Sequence, residues 1–296
     1  MKSVLILGAS GMLGYGVCST FVNYKNIKIT ATVRSKKKIL KIKKKFSYNK
    51  ISNFMLFDVL KDNDEKILNL TKGFDFIINC IGIIKPEINL KNTKSLKNAI
   101  QINSFFPSTL SKFAPSNSKI LQIATDCVFS GKKGKYHENS YHDDIELYGV
   151  TKIFSEIKKK NFYNLRTSII GRELYTQKSL IEWFLKNKNE NLKGFENHFW
   201  NGVTTKVFGE ILYTLIDNDI NIPNNLHIIP KDIVNKYELL QIFKKKFKGN
   251  CKIEKFKTKS PVDRSLKTNY QKDLNEIWKL SKFKKKLSIK EMVNLI

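Results

Sequence analysis

The sequence predicts an α/β fold in which a doubly wound parallel sheet is followed by a smaller C-terminal α/β lobe. Short apolar runs alternate with helix-like segments through the first 171 residues, and a glycine-rich turn joins the first run to the first helix. The rhythm changes after residue 171. Regular alternation of strands and helices is typical of parallel sheets that helices cover on both faces.

Six short segments rich in Ile, Val and Phe are predicted as the strands of the sheet. They are residues 3–8, 27–33, 54–59, 74–82, 119–125 and 164–170. Several are apolar throughout, which is typical of parallel strands buried on both faces. The first run breaks at Gly8 without a cleavage site of the kind that ends a signal peptide, so we interpret it as a strand.

Periodic apolar segments at 12–24 and 95–114 predict helices between the strands. Beyond residue 171, segments 178–188, 205–217 and 235–247 also have helical periodicity, and 224–230 predicts a short strand. We therefore expect a Rossmann-like core over residues 1–171 and a lobe over residues 172–296 that is interleaved with it.

The composition is strongly basic, with 54 Lys and Arg against 26 Asp and Glu and a net charge of +28. The arginines are only Arg34, Arg166, Arg172 and Arg264, whereas base readout in nucleic acids relies on arginine forks. The lysines form solvated runs such as residues 35–45. We expect no specific nucleic-acid partner, but a positive field that attracts anionic ligands.

No apolar run approaches the roughly 18 residues that a membrane helix needs, so no membrane span is expected. The cysteines Cys18, Cys80, Cys127 and Cys251 form no CxxC motif and have no metal-ligand spacing. We expect neither a disulfide framework nor a metal site, and a cytoplasmic location. The histidines also lack metal-ligand spacing and are expected on the surface or in loops.

Gly8, Gly11 and Gly14 form a G-x-x-G-x-x-G turn between the first predicted strand and the first predicted helix. The first glycine would allow a sharp turn, the second a close approach of backbone to a pyrophosphate, and the third close packing of helix on strand. The helix N-terminus adds free N–H groups and partial positive charge. This turn predicts a dinucleotide site.

The end of the second predicted strand indicates which dinucleotide is bound. NAD-binding proteins usually carry Asp or Glu there, but residues 32–38 (TVRSKKK) contain no carboxylate. Arg34 could stack on adenine and pair with a 2′-phosphate; the alternative is a surface residue in a basic stretch. Asp58, after the third strand, could accept a hydrogen bond from the adenine amino group. We predict NADP(H) in preference to NAD(H).

Tyr148 and Lys152 are four residues apart, which on a helix places them on one face. A nearby ammonium favours the phenolate and lowers the pKa of a tyrosine from its ordinary value of about 10. Such a phenol could exchange a proton with a carbonyl or alcohol oxygen. Thr125 ends the fifth predicted strand and could hydrogen-bond the same oxygen. The motif YxxxK is weak alone, but its place downstream of a dinucleotide turn strengthens it.

These stretches resemble the extended short-chain dehydrogenase/reductases, and among them the dTDP-4-dehydrorhamnose reductase family. That family has stretches of the form S-T-D-Y-V-F-D-G, G-x-Y-x-E and Y-G-x-x-K. This chain has ATDCVFSG, GKYHE and YGVTK in the same order, starting at residues 124, 134 and 148. Its NCIG (79–82), INSFFP (102–107) and LRTSIIG (165–171) are similar to three further family segments. The resemblance covers roughly residues 1–215.

The resemblance implies an NADPH-dependent reductase of a nucleotide-activated keto-sugar, such as a 4-keto-6-deoxyhexose, in surface polysaccharide biosynthesis. Residues 1–171 would bind NADP, residues 172–296 mainly the substrate, and the assembly would be a homodimer. Tyr148 would protonate the forming alkoxide, Lys152 would bind the nicotinamide ribose, and Thr125 would orient the carbonyl.

Two sets of binding residues follow from the motifs and the resemblance together. The cofactor set is Gly8, Ser10, Gly11, Met12, Leu13, Gly14, Arg34, Asp58, Val59, Cys80, Ile81 and Gly82, with Tyr148 and Lys152. The substrate set is Asn103, Asp126, Val128, Phe129, Arg172 and Trp200. Arg166 is a second candidate for contact with a diphosphate.

The chain departs from the family pattern at Cys127, Asp144 and Thr204, where the family has a tyrosine and two prolines. Two other functions stay open. One is a nucleotide-sugar epimerase of the same fold, which would keep its cofactor bound. The other is a non-catalytic NADP-binding regulatory subunit, like the family member that modulates methionine adenosyltransferase. Stoichiometric oxidation of NADPH would distinguish the reductase from both.

Overall fold

The computed structural model describes residues 1–45, 51–175 and 177–296. Its strands are β1 (Lys2–Leu7), β2 (Ile27–Val33), β3 (Asn53–Leu56), β4 (Phe76–Asn79), β5 (Lys119–Thr125), β6 (Phe162–Thr167), β7 (Ile169–Ile170), β8 (Leu192–Phe195), β9 (His198–Trp200), β10 (Val203–Thr204), β11 (Asn225–His227), β12 (Val234–Asn235), β13 (Ile253–Phe256) and β14 (Val262–Asp263). Its α-helices are α1 (Met12–Phe21), α2 (Lys36–Lys45), α3 (Asp64–Thr71), α4 (Thr93–Ile100), α5 (Phe106–Phe113), α6 (Leu147–Ile153), α7 (Leu180–Lys186), α8 (Thr205–Asp217), α9 (Lys236–Lys246), α10 (Gln271–Leu280) and α11 (Ile289–Asn294).

A seven-stranded sheet in the order β3-β2-β1-β4-β5-β6-β11 forms the centre of the fold. Every neighbouring pair in it is parallel, so the predicted Rossmann-like doubly wound sheet is confirmed. The strand order reverses between β1 and β4. In such sheets, ligands bind at this switch point, outside the carboxyl ends of the strands.

Both faces of the sheet are buried, which explains why its strands are apolar throughout. Val4 and Ile6 of β1 belong to one core cluster, and Leu5 and Leu7 to the other. Successive side chains of a strand point to opposite faces, and all four are fully buried. A strand with apolar residues on both faces fits only a sheet that is covered on both sides.

The C-terminal segment contributes to the core and also builds the smaller lobe. Strand β11 extends the main sheet beside β6, and α8 packs against α1. The lobe contains short sheets in the orders β12-β9-β14 and β13-β8, and β10 pairs with β7. Helices α9 and α11 each begin with a capping box, at Asn235 and Ser288, that satisfies backbone N–H groups of the first turn.

Three elements differ from the sequence prediction. The predicted helix 95–114 is divided into α4 and α5 by a π-helical turn, Gln101–Phe105. The predicted sixth strand is interrupted at Ser168, between β6 and β7. The lysine run was not predicted as a helix, but it forms α2, in which Ile42 is buried and Lys36, Lys37, Lys41 and Lys44 are exposed, as expected for a solvated run. Within the described residues, no helix combines the length and apolar character that a membrane crossing requires.

Candidate active site

A cleft of about 430 Å³ lies at the carboxyl ends of the central strands. The predicted site residues that line it are Ser10, Gly11, Met12, Leu13, Arg34, Cys80, Ile81, Gly82, Thr125, Asp126, Tyr148 and Lys152. The structure therefore brings most of the predicted cofactor set and all three predicted catalytic residues to one surface. Its position at the switch point of the sheet is where this type of fold binds ligands.

The glycine-rich turn forms one wall of the cleft. Gly8 has a φ of 81°, a left-handed conformation that favours glycine. A Cβ atom on Gly14 would lie 2.3 Å from the Gly8 carbonyl oxygen, so only glycine lets α1 start this close to β1. Gly11 caps α1 without a side-chain hydrogen bond. The first N–H groups of α1 are thus available to an anionic ligand.

Two cationic side chains line the cleft beyond β2: Arg34, which directly follows the strand, and Lys38 of α2. Burial lowers the pKa of Lys38, and the charge of Arg34 lowers it further. The Lys38 ammonium lies 5.5 Å from the ring centre of Tyr175, which also lines the cleft. Because Lys38 is in the lysine run, sequence reasoning missed it. The sequence signal that could have identified Lys38 was a cationic residue four positions after Arg34.

Helix α6 holds Tyr148 and Lys152 on one face, as their spacing predicts. The Lys152 ammonium donates a hydrogen bond to the Ile123 carbonyl of β5 at 2.9 Å. Burial lowers the pKa of Lys152 to about 8, and the nearby Glu156 carboxylate opposes that shift.

The pKa of Tyr148 shifts in the direction opposite to the sequence prediction. Burial raises it well above its ordinary value, and the Cys127 side chain adds to the increase, whereas a hydrogen bond with Thr125 lowers it. The sequence argument considered the Lys152 ammonium but not the burial of the phenol. The ammonium is instead bound to the backbone of β5. The phenol is protonated at neutral pH, as an ordinary tyrosine is, and its raised pKa makes it a weaker acid than an exposed one.

Thr125 ends β5 at the start of a short 3-10 turn. Its hydroxyl donates to the Asp126 carboxylate at 3.1 Å and accepts from the Cys127 N–H at 3.2 Å. Burial raises the pKa of Asp126. Burial also raises the pKa of the Cys127 thiol to about 12, so this thiol is not a nucleophile at neutral pH. These bonds orient Thr125 at the edge of the cleft.

Asn103 acts behind the cleft rather than in its lining. It lies in the π-helical turn, where its amide nitrogen donates to the Ile83 carbonyl and to the Thr151 hydroxyl, at 3.0 and 3.1 Å. Its amide oxygen accepts from the Ile83 N–H at 2.9 Å. Asn103 thereby connects α6, which carries Tyr148 and Lys152, to the cleft segment after β4. π-Helical turns are frequent at functional sites.

Other predicted binding residues also lie outside the lining of the cleft. Val128 and Phe129 are fully buried, and the Phe129 ring stacks on Tyr136 with centres 4.2 Å apart. Substrate has no access to either side chain in this arrangement. Asp58 accepts a hydrogen bond from the Leu60 N–H, and Val59 packs against the hydrophobic core.

Arg172 and Trp200 have partners within the protein. The Arg172 guanidinium donates to Glu182 at 2.7 Å. The Trp200 indole is only 5% exposed and donates to the Ser168 hydroxyl at 2.8 Å. Because Ser168 lines the cleft, Trp200 supports the cleft wall from behind.

Arg166 is the centre of a buried group of ionisable residues, here called the Arg166 cluster: Arg166, Glu156, His142, His227 and Glu138. The guanidinium binds both carboxylate oxygens of Glu156, at 3.0 and 2.5 Å. The suggestion that Arg166 contacts a diphosphate was wrong, because its side chain is 1% exposed. His227 is fully buried, against the expectation for the histidines, and burial lowers its pKa to about 3.

Sequence reasoning missed a second wall of the cleft, which follows the sixth strand. The residues not predicted there are Ser168, Ile169, Glu173, Leu174, Tyr175, Ser179 and Leu180. The rule that ligands bind beyond the carboxyl ends of parallel strands was the available signal. The apolar and polar residues of this segment follow no regular spacing, so the sequence contains no recognisable motif there.

A family model described as RmlD substrate binding domain matches residues 1–272 of the chain. Methionine adenosyltransferase 2 subunit beta of Danio rerio is 27% identical over 157 residues, which is 52% of this chain. The alignment covers 42% of that protein, so the chain spans less than half the length of this relative.

Solved structures show the same fold at low sequence identity. The dTDP-4-dehydrorhamnose reductase of Bacillus anthracis, solved with NADP, has a TM-score of 0.72 at 15% identity, covering 100% of this chain and 98% of that one. The UDP-glucuronic acid 4-epimerase of Bacillus cereus, solved with UDP-glucuronic acid and NAD, has a TM-score of 0.73 at 14% identity, covering 99% and 96% of the two chains. At this identity, the likeness establishes the fold alone.

Proposed function

Because the chain belongs to the RmlD substrate-binding domain family, we propose that it is an NADPH-dependent oxidoreductase that reduces the ketone of a nucleotide-activated sugar. This membership confirms the family resemblance that the motifs indicated. The observation that supports the function most strongly is the meeting of Thr125, Tyr148 and Lys152 with the glycine-rich turn in one cleft. A proton donor, a buried cation and a dinucleotide turn are the groups that such a reduction requires.

The residues of the cleft fit a phosphorylated dinucleotide. The uncapped N-terminus of α1 at Gly11 suits the pyrophosphate. Arg34 and Lys38 suit a 2′-phosphate, and no carboxylate follows β2 within residues 34–38 to bind a ribose hydroxyl instead. When bound, NADPH supplies the hydride. Tyr148 and Lys152 border the same cleft and would hold the ribose next to the reacting carbon.

Tyr148 is the proton donor in this proposal. Its phenol is protonated at neutral pH, and it would transfer that proton to the ketone oxygen as negative charge develops there. The Thr125 hydroxyl, which donates to Asp126 in this structure, would turn to donate a hydrogen bond to the same oxygen and orient the carbonyl. Lys152 is charged below about pH 8, and its ammonium would stabilise the phenolate that remains after proton transfer.

The finer features of the function are also proposals. We infer that the sugar is a 4-keto-6-deoxyhexose and that its product serves surface polysaccharide synthesis, on the basis of the family. The division into an NADP-binding core over residues 1–171 and a mainly substrate-binding segment over 172–296, a homodimeric assembly and a cytoplasmic location remain predictions from the sequence.

The test is oxidation of NADPH by purified protein with a panel of nucleotide-linked 4-keto sugars, followed at the nicotinamide absorbance band. Oxidation that equals the sugar consumed and is lost in Tyr148→Phe supports the reductase and identifies its substrate. Tight NADPH binding without oxidation across the panel would contradict it.

The similarity to methionine adenosyltransferase 2 subunit beta favours a regulatory subunit as a second candidate. The presence of Thr125, Tyr148 and Lys152 in one cleft argues against a purely regulatory role. A pull-down and an activity assay with a methionine adenosyltransferase catalytic subunit would test it, since a regulatory subunit must bind that enzyme and change its rate.

A further inference from the structure

Two cationic side chains of the C-terminal segment lie beside the catalytic end of β5. Lys236 is the first residue of α9, and Arg264 directly follows β14. Both interact electrostatically with the carboxylate of Asp126 and with Cys127. Asp126 and Cys127 line the cofactor cleft, whereas Lys236 and Arg264 are not part of its lining. The two cations therefore lie near these residues but outside the lining of the cofactor cleft.

Neither cation is neutralised by a close ion pair within the described residues. The Lys236 ammonium lies 5.4 Å from the ring centre of Trp200 and makes no salt bridge or hydrogen bond in that part of the chain. Arg264 uses only its Nε atom, which donates to the Phe129 carbonyl at 2.7 Å. The two terminal NH₂ groups of its guanidinium have no hydrogen-bond partner among residues 1–45, 51–175 and 177–296.

This arrangement differs from that of the other arginines near the site. Arg166 and Arg172 each donate to a glutamate through short hydrogen bonds. A guanidinium without a carboxylate partner has donors in a planar fork that matches a carboxylate or a phosphate. Arg264, like Arg34 in the cofactor cleft, therefore has donors available to a ligand, although Arg172 was the residue favoured from the sequence.

Two acidic groups, Asp126 and Asp144, interact electrostatically with these cations but form no salt bridge with them in the described part of the chain. Burial raises the pKa of Asp126 despite both cations, and burial also raises the pKa of Asp144, which Arg264 opposes. Burial lowers the pKa of Lys236, and the charge of Arg264 lowers it further. The charges of both cations also lower the pKa of His198. The donors of Arg264 that lack a partner are thus the groups to which an anion could bind.

We propose that Lys236 and Arg264 form an anion subsite for a negatively charged group of the nucleotide sugar, either its diphosphate or a carboxylate on the sugar. This proposal rests on the proposed function. Trp200, which carries the Lys236 ammonium on its ring, fixes one wall of the subsite. The location next to Thr125 and Asp126 would place a bound anion near the reacting sugar and limit how the ketone can approach Tyr148.

The test is calorimetric titration of the protein, saturated with NADP⁺, with defined nucleotide probes. The probes are UDP, dTDP and GDP, their glucose esters, UDP-glucuronate, and uridine as the uncharged reference. We expect Lys236→Met and Arg264→Met to weaken binding of the anionic probes at least tenfold and to leave uridine unchanged. Lys193→Met is the matched control, because Lys193 also lies over an aromatic ring, that of Phe256, but on the surface.

The probes distinguish the two sources of negative charge. If the diphosphate occupies the subsite, the nucleoside diphosphates and their glucose esters lose affinity equally. If a carboxylate occupies it, UDP-glucuronate binds the wild type more tightly than UDP-glucose, and only this advantage disappears in the variants. Unchanged NADPH affinity in each variant shows that the fold and the cofactor site are intact.

Two results would overturn the subsite, and they differ in what they imply for the function. Variants that bind NADPH and every probe as the wild type does would refute the subsite and leave the proposed function standing. A wild type that binds NADPH but none of the anionic probes would refute both. Substitution of Arg264 by Lys, which keeps the charge, should restore part of the affinity that Arg264→Met loses.

Discussion

Lys152 and Arg166 are both buried cations next to neighbouring strands of the same sheet, but their surroundings differ. The Lys152 ammonium borders the cleft and has one hydrogen bond, to the carbonyl of Ile123. The Arg166 guanidinium binds both oxygens of Glu156, is also bonded to His142 and His227, and lies over the Phe129 ring. One cation is incompletely paired beside a ligand cleft, and the other is fully paired within the core.

Under the proposed function, this difference distinguishes a cation that takes part in the reaction from one that stabilises the fold. A buried charge without full pairing is unfavourable in the folded protein and is expected where a ligand or a reaction uses it. A buried charge in a satisfied cluster fixes the elements that meet there. In this protein, the Arg166 cluster joins β6, β11 and the segments on both sides of α6, and so positions the helix that carries Tyr148 and Lys152.

The largest effect is expected for Tyr148→Phe, which tests the cleft side of the comparison. Loss of the phenolic proton should reduce kcat/KM by roughly 10²–10⁴-fold, the usual contribution of a positioned acid or base. The melting temperature should change little, because the phenol borders the cleft and the ring is retained. Steady-state kinetics and thermal unfolding measure the two quantities. Tyr141→Phe, at a residue that is 86% exposed, is the control and should affect neither.

Arg166→Met, in contrast to Tyr148→Phe, should lower the stability of the protein. Removal of one partner leaves Glu156 buried and unpaired, so the free energy of unfolding should fall by about 3–5 kcal/mol. The surface pair Arg172–Glu182 has the same sequence separation, but the Arg172 side chain is 52% exposed. Arg172→Met should therefore cost at most about 1 kcal/mol. Denaturant titrations of both variants check this, and equal losses would contradict the distinction between the two pairs.

The same comparison explains which features were predictable from the sequence. Tyr148, Lys152 and the glycine-rich turn depend on partners a few residues away, so spacing and position after a strand were sufficient. The main sheet was predictable because its strands are long apolar runs buried on both faces.

Features that depend on contacts between distant segments were not predictable. The Arg166 cluster joins residues up to 89 positions apart, and Lys38 reaches the cleft beside Tyr175, far along the chain. Val128 and Phe129 adjoin Asp126, yet the turn after β5 directs them into the core. In the C-terminal lobe, strands of two to four residues such as β8 and β13 are defined by their pairing rather than by a local pattern.

Titration of Lys152 should change activity and stability in opposite directions as the pH rises. With a folded-state pKa of about 8, below its ordinary value of 10.5, the lysine loses its proton above pH 8 in the native protein but not in the unfolded chain. The unfolded state then binds more protons, so the contribution of Lys152 to stability rises with pH between these values. Activity, which uses the ammonium, should fall about tenfold per pH unit in the same range.

Wild type and Lys152→Met measured at pH 7 and pH 10 would isolate this contribution. Between these pH values, the wild type should gain roughly 3 kcal/mol of unfolding free energy relative to the variant, from about 1.4 kcal/mol per unit of pKa shift. Denaturant titration provides the stability, and the kcat/KM profile of the wild type provides the activity. A stability difference that does not change with pH would show that the cation is not strained by its burial.

The smallest expected effect concerns Lys38, which belongs to the cleft but lies nearer its surface. Lys38→Met should weaken NADPH binding about tenfold, or about 1.4 kcal/mol, and leave NADH binding unchanged, because only NADPH presents a 2′-phosphate to Lys38 and Arg34. Lys37→Met, on the same helix but outside the cleft lining, is the matched control. Fluorescence titrations at low and high salt measure both affinities.

Because Lys38 is partly solvated, the loss of NADPH affinity in Lys38→Met should become smaller as salt screens the charge. The effect of Tyr148→Phe on the rate should not depend on salt in this way. An equal loss for NADH would assign Lys38 to the shared part of the dinucleotide rather than to the 2′-phosphate.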